Sequence, residues 1–579
     1  MQGNITGPTG TITIAAGGMI ELDQGTLNGG TLNNAAKGTV AVTASDGTLA
    51  NISVVNAGVI TLVGDSGLSQ NGALHIVGSV QLTGGGLVSL SDISGFALAS
   101  SQVITGTAAG DTLDNVDNTI SGYGLLGNGL MTLENETSAT IDALGGTLVV
   151  NTGTNAVVNT GLLEAATSSV LDLRSDITNT SGTIDANGGA VDLDRMSVIG
   201  GTLTTEHGGT IHVTVSAALA GTAGPVTLTL ASHLEVDNGQ TLTLEGSIVN
   251  QGTLSLVGNG AGFPGDIPNS TAFLDVSGTA TLSGRGTLSL SDGSGNGFSA
   301  TEVVTGTVAS DTLDNFDNTI SGYGQLDDGL MTLKNEAKGT INATGGILTV
   351  DTGKNSIVNK HLIEATSGVL DLRSNVTNAG GTITGTAATV ELDGMTVSDR
   401  TLSNSAGGVF QTIGTATLDG NVRAAAAMIC GAPSLNGLDG ELRGLIDACH
   451  EESWRQADAS PEGHAGAAVT DFRVRKSIKL LAEGIGAEIE LDAIARQAGL
   501  SRPHFYKLFR TQTGITPHLY FNTLLMERAL DSLVTTEASM ADIGFDLGFT
   551  SQSAFTHFFA GNVGMAPTDY RRAAKVLRA

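Results

Sequence analysis

The sequence predicts a multidomain chain of two unlike parts. Residues 1–420 are expected to form a parallel β-helix (a β-solenoid), and residues 471–579 an all-α domain with two helix-turn-helix units. A helical segment and linker, 421–470, would join them. Three observations carry this reading. Short apolar runs of period two recur between Gly- and Asn-rich turns through the first part. A long segment of that part is repeated almost intact. Near the carboxyl end, a pattern of helix, glycine turn and capped helix occurs twice.

In the first part, TITIAA, TVAVTA, VITLVG, SVQLTG, LVSLS, TLVVNT and TLTLEG alternate apolar and polar residues, as half-buried strands do. Gly-Gly, Asn-Gly and Asp-Gly pairs separate them and mark turns. The segment from Gly106 to Glu136 recurs from Gly306 to Glu336, and VLDLRSDITN near Val170 recurs as VLDLRSNVTN near Val369. Self-similarity in strand-rich sequence points to stacked coils, each burying a thin Val/Ile/Leu core only against its neighbours. Asp111 and Asp114, with their copies Asp311 and Asp314, are read as turn-capping residues rather than catalytic or calcium-binding ones. Aspartate commonly closes turns through its own side chain, and no calcium nonapeptide accompanies these. No catalytic residue is assigned, and the chain is expected not to be an enzyme.

The composition changes near Asn421. LDGELRGLIDACHEESW has helical spacing at Leu438, Leu442, Leu445 and Ile446, and QADASPEGHAGAAV reads as a flexible linker. Cys449 and His450 lack further ligands at metal-binding spacing, so neither a metal nor a cofactor is expected. Two cysteines, Cys430 and Cys449, do not make a disulfide framework; one bridge or two free thiols both fit. No apolar run reaches the length of a membrane span, and the residues after Met1 lack the basic and apolar regions of a secretory signal. A cytoplasmic location follows as the expectation.

The net charge of −30 excludes a nucleic-acid-binding surface spread over the whole chain. Charge is unevenly placed, however. From Asp471 onward there are 13 basic and 11 acidic residues, a net of +2, leaving 13 basic against 45 acidic residues before it. That asymmetry suits a DNA-binding end on an acidic body.

That end begins with a helix in VRKSIKLLAEGIG, with Ile478, Leu480 and Leu481 facing inward. Arg473, Arg475, Lys476 and Lys479 lie on the outer side, either at phosphates or in solvent. In LDAIARQAGLSRPHFYKLF, a helix from Leu491 to Gln497 buries Ile494 and Ala495. Gly499 supplies a turn with positive φ, Leu500 plugs the angle, and Ser501 caps a second helix running to about Phe509. ADIGFDLGFTSQSAFTHFF repeats the plan, with Gly544, Gly548 and Phe549 in the corresponding places and Thr550 or Ser551 as the cap. GITPHLY at Gly514–Tyr520 recurs as GMAPTDY at Gly564–Tyr570. Phe505 and Phe509 recur as Phe555 and Phe559, all four read as core. A linker helix, about Pro517–Val534, would join the units through a stripe of Leu524, Leu525, Ala529, Leu530 and Leu533.

IGFDLGFTSQSAFTHFF…GMAPTDYRR resembles the signature of the AraC/XylS family of bacterial transcription regulators, over about Ser477–Arg572. The resemblance implies sequence-specific binding of double-stranded promoter DNA, with RNA polymerase as a further partner. It implies two recognition helices held about 34 Å apart to enter successive major grooves. In the first helix the DNA-facing residues would be Arg502, Pro503, Tyr506, Lys507 and Arg510, with His504 nearer the core. In the second they would be Gln552, Ser553, Thr556 and His557, with Arg571 and Arg572 at the sugar-phosphate backbone or in solvent. The family's usual companion domain senses a small molecule or dimerises; here a solenoid stands in its place, and the effector is unknown. The first part resembles the β-strand repeat regions of bacterial surface and autotransporter-type proteins. It supplies the alternative expectation of an extracellular adhesin-like structural protein, or of a reading frame that joins pieces of two genes.

Overall fold

The computed structural model describes residues 3–66, 71–93, 101–258, 271–292, 302–424, 471–483, 491–500, 502–513, 516–536, 538–563, 566–568 and 570–571. The chain falls into two compact units. The segment 425–470, including Cys430 and the expected helix with Cys449 and His450, lies outside the described residues.

The first unit is a parallel β-solenoid, with 43 described strands between Asn4 and Ala424. Every described pairing is parallel, as in Thr112–Asn115 against Thr132–Asn135. All seven runs singled out by period two fall on strands, and TITIAA, TVAVTA, SVQLTG and TLVVNT each run on into the turn that follows. The alternation has a direct physical consequence. Inward residues of successive coils stack like on like, as in the register Ile120, Ile141, Leu163, Ile184, Leu203, each fully buried. Each coil is too thin to bury its own apolar edge, so the core is continuous along the rod rather than local to a coil.

At one corner the stack is polar. Asn115 Nδ2 donates to Asn135 Oδ1 at 3.0 Å, Asn135 to Asn159 at 2.9 Å and Asn159 to Asn179 at 2.7 Å. The second repeat copies this through Asn315, Asn335, Asn359 and Asn378 at 2.9, 2.8 and 2.6 Å. All eight are buried. A buried amide is tolerable only when its donors and acceptors are met, and the stacking of identical residues at strand spacing meets them.

Asp111 is a turn residue. Its carboxylate accepts from the backbone N–H of Gly78, Thr107 and Ala108 and from the Thr107 hydroxyl, at 2.7–2.9 Å. Burial works against its charge, but these hydrogen bonds together outweigh burial and hold its pKa below the ordinary value. Asp311 repeats the arrangement with Gly278, Thr307 and Val308. Asp114 points elsewhere, accepting from Gln81 at 2.9 Å, so Asp111 and Asp114 do not form a working pair.

On the outer face Asp142, Glu164 and Asp185 follow one another in register. Asp185 is pushed up to about 6, first by burial and then by the charges of Glu206 and Glu164. A carboxyl raised by folding stabilises the fold in acid and loses that contribution as pH rises through about 6. Asp185→Asn is therefore expected to raise solenoid stability at about pH 7 by about 2 kcal/mol and to change it little at about pH 4. Denaturant unfolding at the two pH values measures this; an equal effect at both would contradict it.

The second unit is helical: α1 (Phe472–Glu483), α2 (Leu491–Gln497), α3 (Arg502–Thr513), α4 (Pro517–Thr535), α5 (Met540–Asp546) and α6 (Gln552–Val563). None of the described helices is long and apolar enough to cross a membrane. Two aromatic cores form. One gathers Val474, Leu481, Ile494, Ala495, Leu500, Phe505 and Phe509; the other gathers Leu525, Ala529, Leu533, Ile543, Leu547, Phe555 and Phe559. Phe521 of α4 packs against both. The second helix of each helix-turn-helix, α3 and α6, runs four residues past the last core aromatic, to Thr513 and Val563, and in α6 it continues through Gly561.

Candidate nucleic-acid interface

The two helix-turn-helix units share one geometry. At the end of α2, Leu500 N–H donates to Ala495 O and Gly499 N–H to Arg496 O, both at 2.9 Å. At the end of α5, Phe549 N–H donates to Gly544 O at 2.9 Å and Gly548 N–H to Phe545 O at 3.0 Å. This crossed pair is the Schellman closure, which requires a left-handed residue after the last helical turn. Gly499 and Gly548 supply it with φ of +75° and +88°. The corresponding glycine and alanine one turn earlier differ for a packing reason. A Cβ on Gly544 would lie 3.0 Å from the Phe555 Cβ, whereas Ala495 keeps its methyl in the first core.

The second unit gains its extra residue just after this closure. Between Phe549 and α6 stand Thr550 and Ser551, where the first unit has only Ser501. Ser551 is the cap: its Oγ accepts from Ala554 N–H at 3.1 Å. Ser501 lies outside the described residues. The aromatic contacts repeat as well. Phe509 meets Tyr520 edge-on with ring centroids 5.6 Å apart, and Phe559 meets Tyr570 at the same distance. Phe505, Phe509, Phe555 and Phe559 are all fully buried. Ser539 adds a capping box on α5 with Asp542, a start signal present in the sequence in a variant form, since Asp stands where Glu or Gln is usual.

The polar residues of α3 and α6 divide by exposure. Arg502, Lys507 and Arg510 are exposed. Tyr506 is half-buried against Phe505, with the Arg502 guanidinium 5.9 Å from its ring centre. Pro503 falls within α3, but its side chain lies outside the described residues. His504, expected nearer the core, is exposed instead. Its step of three to Lys507 and seven to Thr511 puts it on their face of the helix, a spacing that could have identified it. In α6, Gln552, Ser553 and His557 are exposed. Thr556 is half-buried, and its hydroxyl donates to Gln552 O at 2.8 Å.

Basic residues elsewhere are partly committed to the fold. The Arg571 guanidinium turns inward and donates to Leu533 O at 3.2 Å and Ala538 O at 2.7 Å, tying the chain after α6 to the end of α4. Neither the sugar-phosphate backbone nor solvent claims those two donors. Arg572 lies outside the described residues. Lys476 reaches the Gln497 carbonyl at the end of α2 at 2.6 Å, where a cation complements the helix dipole. Arg473 pairs with Asp471 through two hydrogen bonds of 3.0 and 2.7 Å. On α1, Val474, Ser477 and Leu481 are buried, while Ile478 and Leu480 are half-buried.

Two such units on one shared helix define a tandem helix-turn-helix DNA-binding domain. A helix-turn-helix domain family matches residues 494–573. The HTH-type transcriptional activator RhaS of Escherichia coli O139:H28 is 31% identical over 100 residues, covering 17% of this chain and 36% of RhaS. The regulatory protein SoxS of Salmonella typhimurium is 32% identical over 98 residues, covering 17% of this chain and 92% of SoxS. A solved transcriptional regulator with an AraC-type DNA-binding domain, from Chromobacterium violaceum, is 26% identical. It covers 18% of this chain and 91% of that one, with a TM-score of 0.17. The chain belongs to the AraC/XylS family of transcription regulators. It spans only about a third of the length of RhaS, but nearly all of SoxS.

Proposed function

We propose that this protein is a sequence-specific transcription regulator whose helices α3 and α6 enter adjacent major-groove segments of promoter DNA. The observation that carries this is the duplicated closure: the same crossed hydrogen bonds and the same glycine in each unit, followed by a helix with an exposed polar face. The relatives named as a transcriptional activator and a regulatory protein support a role in transcription; RNA polymerase as a further partner and a cytoplasmic location belong to the same proposal. The proposed division of labour is a solenoid at 1–420, a connector at 421–470 and the regulator domain at 471–579. No catalytic role is assigned to any residue.

Direct readout falls to few residues. Lys507 offers an ammonium to guanine O6 or N7, and Gln552 an amide that pairs with adenine N6 and N7. Pro503 supplies apolar contact only, and Tyr506 a thymine methyl or phosphate contact. Ser553, Thr556 and His557 line the second helix, while Arg502, Arg510 and Arg572 meet phosphates. Arg571 contributes by fixing the end of the domain to α4. With a domain net charge of only +2, exposed N-terminal backbone donors of the helices share the phosphate contacts.

The test is binding of the full chain to a consensus site selected from random DNA. Lys507→Ala and Gln552→Ala should each weaken specific binding by about 1–3 kcal/mol, at different base positions, and leave non-specific binding nearly unchanged. Binding with no sequence preference and a dependence on salt alone would refute the proposal.

A further inference from the structure

On the outer face of the solenoid, Asp192, His212 and Glu235 stand in one row on three successive coils. Asp192 pairs in register with His212, and His212 with Glu235. Asp237 lies two residues beyond Glu235, where the alternation of the chain returns to the same face. The ligand-capable atoms of His212, Glu235 and Asp237 all lie within 4.8 Å of one another. His212 Nδ1 is 3.1 Å from Asp237 Oδ1, and these two side chains are 27% and 36% exposed.

A ring-to-carboxylate hydrogen bond accounts for His212 and Asp237 but not for Glu235. The Glu235 carboxylate converges on the same point without a hydrogen bond to any other described residue. The surrounding cations do not answer this concentration of charge. Arg174 is engaged with Asp172 at 2.7 Å and Asp194 at 3.4 Å, Arg195 is engaged with Asp194 at 3.2 Å, and His233 bonds Ser255 at 3.0 Å. Asp192 stands beside the ring with no hydrogen bond to another described residue, and adds a further negative charge.

We propose that His212, Glu235 and Asp237 bind a divalent ion of the zinc type through one imidazole nitrogen and two carboxylate oxygens. Three protein ligands of mixed nitrogen and oxygen character, partly open to solvent, are what zinc accepts while keeping a position for water. Calcium and magnesium take oxygen ligands and have no use for the imidazole. Ladder hydrogen bonds hold His212 and Glu235 on neighbouring strands, so ion binding needs side-chain adjustment and little backbone movement.

The second repeat provides an internal comparison. There Glu391 pairs with Gln411, in the places of Asp192 and His212. The copy therefore keeps the carboxylate and replaces the imidazole with an amide that cannot serve as a zinc ligand of this kind. His212→Gln thus installs a residue that the chain itself carries on the same rung position.

The experiment is a titration of the full chain with Co²⁺, followed by visible absorption, and then displacement by Zn²⁺. One ion per chain with a nitrogen–oxygen spectrum is expected. His212→Gln and Glu235→Gln should each lower its affinity by at least about 10-fold, with the β-sheet circular dichroism unchanged. Asp237→Asn is the third variant should either of these lose its fold. Absence of binding, or equal affinity in the wild-type chain and the folded variants, would overturn the proposal. So would a thiolate-to-cobalt charge-transfer band, which would place the ion on Cys430 or Cys449.

Discussion

Phe559→Ala is expected to destabilise the helical unit by about 3–5 kcal/mol, lowering its midpoint of thermal unfolding by roughly 15–30 °C. Phe559 is fully buried, with ring centroids 6.0 Å from Phe555 and 5.6 Å from Tyr570. Truncation removes both ring contacts and leaves a void that the surrounding helices, fixed by the Schellman closure and by Arg571, cannot fill. Phe509 holds the same place in the first core, 5.6 Å from Phe505 and from Tyr520. Because Phe521 packs against both cores, Phe559→Ala and Phe509→Ala should lower one common helical transition by similar amounts. A helical signal that splits into an intact half and a lost half in either variant would show the two units to be independent. It would also remove the physical basis for a fixed spacing between α3 and α6. Solenoid unfolding, followed separately by its β-sheet signal, should not move.

The parts of this structure that were legible in the sequence are those governed by local rules. Period two dictates a strand with one face inward, so TITIAA or VITLVG could be assigned without knowing its neighbour. Gly499 and Gly548 were legible because a left-handed closure excludes nearly every other residue. The pairing of residues distant in sequence was not legible. Asn135 looks like any turn asparagine in a Gly-, Thr- and Asn-rich chain; only the coil lengths on either side bring it over Asn115 and under Asn159. The same limit explains Arg571. A basic residue at the end of a domain reads as solvent- or phosphate-facing, yet the carbonyls of Leu533, in the last turn of α4, and of Ala538, just past it, draw it inward. His504 adjoins the buried Phe505 in sequence and so reads as lying toward the core. A step of one residue rotates a helix by about 100°, however, and this turns His504 out to solvent. The metal-ligand cluster was invisible for the reason the asparagine ladder was: His212 and Glu235 are neighbours only across coils.

Asn135→Ala should cost the solenoid about 3–4 kcal/mol, more than the loss of one exposed hydrogen bond, because it breaks a chain of buried amides in the middle. Asn135 Nδ2 donates to Asn159 Oδ1 and to Leu162 O, at 2.9 and 3.1 Å, while Oδ1 accepts from Asn115. Alanine leaves the Asn159 oxygen without that donor at a fully buried position, and each such orphan costs about 1–3 kcal/mol. Asn115 is partly protected, since its Nδ2 also donates to Asn118 O at 3.0 Å. Asn335→Ala, at the matching rung of the second repeat, should cost about the same, because its bonds to Asn315 and Asn359 have nearly the same lengths, 2.9 and 2.8 Å. Asn4→Ala, on an exposed terminal strand, should change stability by less than about 0.5 kcal/mol. Urea unfolding followed by β-sheet circular dichroism gives the three values. Native-state hydrogen exchange should place the weakened coils of Asn135→Ala between strands Thr112–Asn115 and Leu162–Ala165, since a stacked rod opens where one interface fails. If Asn135→Ala and Asn335→Ala cost no more than Asn4→Ala, the amide ladder is a passenger of the apolar stack. In that case the row of Ile120, Ile141 and Leu163 alone sets the register of the coils.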